Sequence, residues 1–158
     1  MRESREMIDA LAQEIGLDDE EIAARRSFLQ LDERDAAILR EVHELLDQER
    51  DTFSDSFYAH LLAFPRMREL LADSETTARL RRAQAGYFSS LTAGDYGPAY
   101  IRERLRVGAA HQRIGLDPKW YIGAYRKYLS ELSSMLWQKL HHDPARFIEA
   151  WDAVLKVV

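Results

Sequence analysis

The sequence predicts an all-α fold. Apolar residues recur at intervals of three and four along most of its 158 residues, which is the spacing that places them on one face of a helix. Only seven glycines and four prolines interrupt these segments. An apolar fraction of 46% is enough for one compact domain with a sizeable core.

Composition excludes several classes of function. The 27 acidic and 22 basic residues include no long basic block of the kind that binds nucleic-acid phosphates. Without cysteine, thiolate catalysis and cysteine-ligated metals are excluded, so a bound transition metal would depend on histidine or oxygen ligands. Neither a secretory signal nor a run long enough to span a membrane is found. We therefore expect a cytoplasmic protein.

Four helices are predicted before residue 65. The first ends at Gly16, which suits a C-cap, and the second begins near Asp18 and runs through Leu31. Either of these two could be an appendage. A strongly amphipathic helix follows over residues 32–48, and a fourth over residues 51–64 carries an aromatic stripe that includes Phe64 and is ended by a proline.

Three side chains on the third and fourth helices need interpretation. Tyr58 flanks the aromatic stripe, where a tyrosine usually packs its ring in the core and points its hydroxyl at water or a carbonyl. His60 lies close to the rows of Phe53 and Phe64, so spacing alone does not exclude it as a metal ligand. His43 is interpreted as a partly exposed helix-surface residue.

A short helical turn or loop over residues 66–74 precedes a helix predicted to run to about Leu91, which carries a glutamine within an apolar face. Ser74 and the two threonines after it offer N-caps. Gln84 shares its face with Leu80 and Tyr87. Because a buried glutamine needs partners, Gln84 either bonds a neighbouring helix or faces a ligand cavity.

His111 lies in the last turn of a helix predicted to begin at Pro98. A cationic imidazole there would complement the helix dipole, whereas a neutral one could offer Nε2 to a metal while Nδ1–H donates to the carbonyl of Val107. Arg104, Val107 and Gly108 share its face. Gly108 costs the helix about 1 kcal/mol relative to alanine, which suggests that something flat or bulky approaches there.

The longest predicted helix, from Pro118 to about His142, has two apolar faces. One consists of Tyr121, Tyr125, Tyr128, Leu132 and Met135, and the other of Ile122, Leu129, Leu136 and Leu140. Two faces predict two partners, the domain core and a second subunit packed as a helix bundle. A final helix runs to Val158 without a stop signal, which we interpret as a chain that continues into another domain.

No phosphate-binding glycine loop, zinc HExxH motif or serine nucleophile elbow is present in the sequence. Helices alone, with one histidine before a helix break, fit the globin fold. The run RVGAAHQRIGLDPKWYIGAYRKYL, with FYAHLLAFP and FSSLTAGDYGPAYI upstream, closely resembles the sensor-globin domain of globin-coupled sensors. Members of that family are bacterial haem proteins that join a globin to a signalling output domain.

The resemblance covers nearly the whole chain and implies its organisation. It implies a globin fold with extra N-terminal helices and a long penultimate helix suited to a dimer bundle. Residues 1–158 would form a single sensor-globin domain, with residues 1–31 as an N-terminal helical extension and residues 32–158 as the globin core. An output domain would follow, either a diguanylate cyclase, a histidine kinase or a chemotaxis transducer.

The resemblance also implies a cofactor, haem b, with His111 as the ligand of its iron. Tyr58 matches the tyrosine whose hydroxyl donates a hydrogen bond to bound O₂, and CO and NO would be further gas ligands. His60 matches no ligand position of the family, so we do not expect it to be a second axial ligand.

The remaining expected haem contacts lie on both sides of the ring. Leu80 matches the distal leucine, and Trp120 and Tyr121 match proximal aromatic positions. Ala83 stands where several members have serine or threonine, so the second hydrogen-bond donor is in question, and Gln84 could substitute for it. The expected cofactor-binding residues are Tyr58, Leu80, Ala83, Gln84, Val107, Gly108, His111, Trp120 and Tyr121.

The resemblance implies a haem-based O₂ sensor domain that is not itself an enzyme and forms a homodimer through its last two helices. No nucleic-acid or membrane partner is expected. One alternative is a cofactor-free helical dimerisation module, which explains the two-faced helix but not Gly108 beside His111. Another is a haem enzyme such as an NO-consuming globin, although no reductase segment is present.

Overall fold

The computed structural model describes the backbone of residues 2–158 and the side chains from residue 6 onward. The helices are α1 (Arg2–Glu14), α2 (Asp19–Phe28), α3 (Glu33–Leu46), α4 (Arg50–Leu62), α5 (Pro65–Leu70), α6 (Ser74–Thr92), α7 (Pro98–Arg113), α8 (Pro118–Leu140) and α9 (Pro144–Leu155), with a 3₁₀ turn at Asp47–Glu49. No strand occurs over residues 2–158, so the all-α prediction is confirmed. None of the helices in this range has the length and apolar composition needed to cross a membrane.

Aspartates and prolines set most of the helix starts. N-cap carboxylates accept hydrogen bonds from first-turn backbone N–H groups at Asp18, Asp32, Asp73, Asp117 and Asp143. Proline opens α5, α7, α8 and α9, where its missing N–H costs nothing. The predicted cap of α6 was wrong, because the Asp73 carboxylate accepts from Thr76 N at 2.7 Å and Ser74 is already helical.

The core is built around α3. This helix packs against α6, α8 and α9, and its Leu39 is 0% exposed. Aromatic rings extend the core on the α4 side, where Phe53 lies 4.7 Å from Phe88 and 4.5 Å from Tyr128 between ring centroids. Burial of this apolar surface provides most of the driving force for folding.

The turn between α6 and α7 fixes where α7 begins. Gly94 has φ +79°, and a side chain there would bring Cβ within 2.6 Å of Arg40 Cγ and 3.0 Å of the Ala36 carbonyl oxygen. In the same turn the Tyr96 hydroxyl donates to the Leu91 carbonyl at 2.8 Å. These contacts tie the start of α7 to α3 and α6.

Helix α7 is packed differently from the others. It contributes no fully buried residue, and it contacts α1 and α2. The two N-terminal helices, predicted as possible appendages, therefore lie against the helix that carries His111.

Two predicted helix ends need correction. Helix α2 ends at Phe28 rather than Leu31, because Gln30 adopts φ +54° and turns the chain. Helix α8 ends at Leu140 rather than His142. Both predicted apolar faces of α8 reach the core, because Leu132 on one face and Leu136 on the other are 1% and 0% exposed.

Candidate functional site

His111 lies in the last turn of α7, as predicted. The helix ends at Arg113, and Gly115 adopts φ +63°, a left-handed conformation that suits glycine. Leu116 N then donates to the His111 carbonyl at 3.0 Å, which closes the end of the helix. The chain reverses within this turn and enters α8 at Pro118.

The His111 ring is half-buried, and its Nδ1 has no polar partner among the described residues. Its Nδ1 is enclosed and makes no hydrogen bond with any described residue, so the predicted bond to the Val107 carbonyl is absent. The ring instead packs edge-on against Tyr121, with 5.0 Å between centroids. Burial lowers the pKa of His111 below its usual 6.5, which favours the neutral imidazole. A neutral imidazole with free nitrogens is the form that coordinates metals.

A chain of tyrosine hydroxyls begins beside His111. The Tyr121 and Tyr125 oxygens are 2.7 Å apart, and Tyr125 and Tyr87 are 3.4 Å apart. Burial raises the pKa of Tyr125, so its hydroxyl stays protonated. Sequence analysis did not assign Tyr125 or Tyr87 to the site, although the four-residue spacing of Tyr121 and Tyr125 was the available signal.

Tyr58 lies on α4 in the aromatic core. It is 7% exposed, its ring meets Phe57 edge-on at 5.8 Å, and the Arg81 guanidinium lies 5.8 Å from its centroid. Burial raises the pKa of Tyr58 to about 12, and the nearby Arg81 charge opposes this shift. The hydroxyl is a protonated donor, and its oxygen is not among the enclosed polar atoms that lack a partner in the described part of the chain.

The three predicted site residues of α6 differ in burial. Leu80 is half-buried and packs against the core, whereas Ala83 is exposed. Gln84 is half-buried, and its amide lowers the pKa of Tyr128 in opposition to the larger effect of burial, which raises it. The Tyr128 hydroxyl nevertheless lacks a hydrogen-bond partner of good geometry in the described part of the chain.

The other predicted residues flank His111 or lie farther along α8. Val107 is half-buried one turn before His111, and Gly108 faces open space, with no atom within 4 Å of where a Cβ would stand. Trp120 is half-buried against Phe64, with 5.8 Å between rings. The surface beside His111 is thus open enough for a flat group to approach.

The protein ligands available for a metal are sparse. Among the described residues no group of three or more histidines and carboxylates could hold an ion. His60 is exposed, and its ring meets that of Phe64 edge-on. His43 Nδ1 lies 3.1 Å from the Thr92 hydroxyl. A haem supplies four of its iron's ligands itself and needs only one histidine from the protein. The unengaged His111 nitrogens and the open face at Gly108 fit such a group.

Comparison with known proteins agrees with this geometry. The sequence profile named Protoglobin matches residues 18–158. The heme-based aerotactic transducer HemAT of Halobacterium salinarum (strain ATCC 700922 / JCM 11081 / NRC-1) is 38% identical over 128 residues, which are 80% of this chain and 26% of the transducer. The chain therefore spans about a quarter of that relative.

A solved structure extends the likeness to three dimensions. The globin domain of the Geobacter sulfurreducens globin-coupled sensor superposes with a TM-score of 0.80 at 26% identity, over 85% of this chain and 88% of that domain. The predicted globin fold is confirmed, and the family match covers most of the chain. This chain belongs to the protoglobin family.

Proposed function

We propose that this chain is a haem-based gas-sensor domain, with haem b held by His111 and O₂ as its principal ligand. The observation that carries the proposal is the half-buried His111 ring beside the open face of Gly108, because burial lowers its pKa and its enclosed Nδ1 has no hydrogen-bond partner among the described residues. The names of the relatives in Halobacterium and Geobacter support it.

The chain's own residues would divide the work between two sides of the haem. His111 would offer one nitrogen to the iron, and packing against Tyr121 would hold its ring. When bound, the haem supplies a coordination position for a diatomic gas. Leu80 and Val107 would exclude water from the two faces, and Trp120 would cover the edge near Phe64.

Tyr58 would donate a hydrogen bond to the bound gas. Its pKa of about 12 keeps the hydroxyl protonated at neutral pH, so it can donate a hydrogen bond. A hydroxyl of this kind can donate to a ligand on which negative charge develops. Ala83 has no donor to add, and the half-buried Gln84 amide is the other polar group on that side.

Signalling would require a second copy and a further domain. We take residues 1–31 as an extension, residues 32–158 as the globin core, and an output domain beyond them as the regulated partner. It could be a diguanylate cyclase, a histidine kinase or a chemotaxis transducer, and the sensor domain itself would catalyse no reaction. A cytoplasmic location stays a prediction from composition.

The proposed dimer would form through α8 and α9. These helices expose large apolar side chains, with Ile122 at 67% and Ile148 at 65%. Ile148→Asp should then give a monomer in light scattering, whereas Phe28→Asp, at an 88% exposed position on α2, should not. A dimerisation module without cofactor would use the same surface. The presence or absence of bound haem, measured as described next, distinguishes such a module from a sensor.

The test is the absorption spectrum of the purified protein under air, under CO and after reduction. We expect a Soret band that shifts with each ligand. His111→Ala should lose it, and His60→Ala, which removes an exposed histidine, should retain it. Absence of a Soret band from the wild type, or equal loss in both variants, would contradict the proposal.

A further inference from the structure

Arg104 on α7 is a half-buried cation without an acidic partner among the described residues. Its guanidinium carbon lies 4.0 Å from the centroid of Tyr87 and 4.1 Å from that of Tyr100. Nη2 donates to the Ser90 hydroxyl at 2.9 Å. Nε and Nη1 are buried and make no hydrogen bond with any residue that the structure describes. A charge in this situation costs stability unless something of opposite charge joins it.

Arg104 lines a cavity of about 300 Å³ between α2, α6, α7, α8 and the end of α9, which we call the Arg104 cavity. Its cationic lining residues are Arg25, Arg26, Arg104 and Lys156, and no Asp or Glu lines it. The chain as a whole carries a net charge of −5, so this concentration of positive charge runs against the composition.

The four cations are not equivalent. Arg25 pairs with Glu21 at 2.7 Å, Arg26 with Glu33 at 3.4 Å, and Lys156 with Asp35 at 2.8 Å. Arg104 alone among them forms no ion pair within the described part of the chain. Among the side chains that line the cavity, one positive charge is thus uncompensated, which calls for a single negative charge rather than a multiply charged phosphate.

We propose that the Arg104 cavity binds a carboxylate. Unused guanidinium N–H groups are good carboxylate donors, and arginine keeps its charge at any physiological pH. The walls around it are aromatic and aliphatic, including Tyr87, Tyr100 and Ile101, so the anion would carry an apolar body.

Two sources could supply that carboxylate. The Arg104 cavity is also lined by Val107 and Tyr121, which lie beside His111, so a haem propionate could reach it. A free carboxylate from solution is the other source. The first rests on the proposed function, whereas the second does not.

The experiment titrates benzoate into the purified chain by calorimetry, with benzamide as the neutral control. One sample carries native haem and the other haem dimethyl ester, which lacks the propionate charges. Binding to both identifies a free carboxylate as the ligand. Binding only to the dimethyl ester sample identifies the propionate, and binding to neither overturns the proposal. The Soret band of each sample shows whether haem is bound, and so tests the proposed function separately. If the purified chain holds no haem, benzoate is titrated into it without further treatment.

The matched variants are Arg104→Gln and Arg106→Gln. Each removes one positive charge from α7, but Arg106 is exposed and paired with Glu103. In the sample that binds benzoate, Arg104→Gln should weaken binding by about 10- to 100-fold, and Arg106→Gln by less than about 2-fold. Equal losses would overturn the proposal.

A measurement on the unaltered chain covers the case in which Arg104→Gln does not fold. The Nε–H resonance of Arg104, identified by its loss in Arg104→Lys, should shift when benzoate is added. Benzamide should leave it in place. A resonance that ignores benzoate in both haem samples contradicts the proposal.

Discussion

Helices α3 and α7 have opposite relations to the rest of the protein. Helix α3 buries Leu39 completely and is surrounded by α6, α8 and α9. Helix α7 has no fully buried residue, carries Gly108 beside open space, and holds His111 with an enclosed nitrogen that no described residue satisfies. Helix α3 is covered by other helices of the protein, whereas α7 keeps an uncovered face and polar atoms without a partner among the described residues.

We infer from this difference that α3 serves mainly the stability of the fold and α7 mainly the binding of a ligand. A helix whose apolar face is fully covered contributes to folding, and substitutions there should act on the free energy of unfolding. A helix with uncovered space and unsatisfied polar atoms should show its effects when a ligand is added.

The largest expected effect is on the α3 side. Leu39→Ala should reduce the free energy of unfolding by about 2 to 5 kcal/mol, because it leaves a cavity in a closely packed core. Urea denaturation measures this. Ile15→Ala, at an exposed position outside the proposed dimer surface, should cost far less. If both variants lost the same stability, α3 would not be the centre of the core.

Tyr58→Phe tests whether the Tyr58 hydroxyl donates a hydrogen bond to bound O₂. Loss of the donor should raise the O₂ dissociation rate about 10-fold, as measured by stopped flow. Tyr96→Phe is the matched control, because its buried hydroxyl donates to the Leu91 carbonyl. That variant should lose about 1 kcal/mol of stability and keep its O₂ release rate. An unchanged O₂ dissociation rate in Tyr58→Phe would contradict a hydrogen bond from Tyr58 to the bound gas.

Gly108→Ala should affect stability and haem binding in opposite directions. Alanine favours the helix, so the ligand-free chain should gain about 0.5 to 1 kcal/mol, while the added methyl group should weaken haem retention. Gly123→Ala, on α8 with equally open space, should give the gain alone. Haem transfer to apomyoglobin measures retention, and equal rates in the two variants would contradict a haem beside Gly108.

The smallest expected effect is a pH dependence from His111. Its pKa is lowered by burial, so the unfolded chain binds the proton more readily. In the haem-free chain, the stability contributed by neutral His111 is therefore present above pH 6.5 and is lost as the pH falls from there through the folded-state pKa. His111→Gln should flatten the urea midpoint over that window. A wild type and variant with parallel profiles would contradict the buried, neutral ring.

The sequence predicted the helices well because their ends carry local signals. Pro98 and Pro118 open α7 and α8 where they were expected, and the order of helices is confirmed. The N-cap of α6 was misassigned because aspartate, serine and threonine in one short run all make acceptable caps, and only the backbone geometry selects Asp73.

The site was less accessible to sequence reasoning because side-chain partners depend on tertiary packing. Spacing placed His111 and Gly108 on one face, but it paired Nδ1 with Val107, whereas the ring turns to Tyr121. Arg104 was also on that face, yet its position between Tyr87 and Tyr100 depends on how α6 and α7 meet. Such contacts between distant segments leave no periodic signal.

Rescue of His111→Gly by imidazole tests the central claim most directly. The variant should show no Soret band of a histidine-ligated haem, and millimolar imidazole should restore one that responds to CO as the wild type does, because the free ligand replaces the missing ring. A His111→Gly protein with the wild-type spectrum before imidazole is added would contradict the assignment of His111 as the haem ligand.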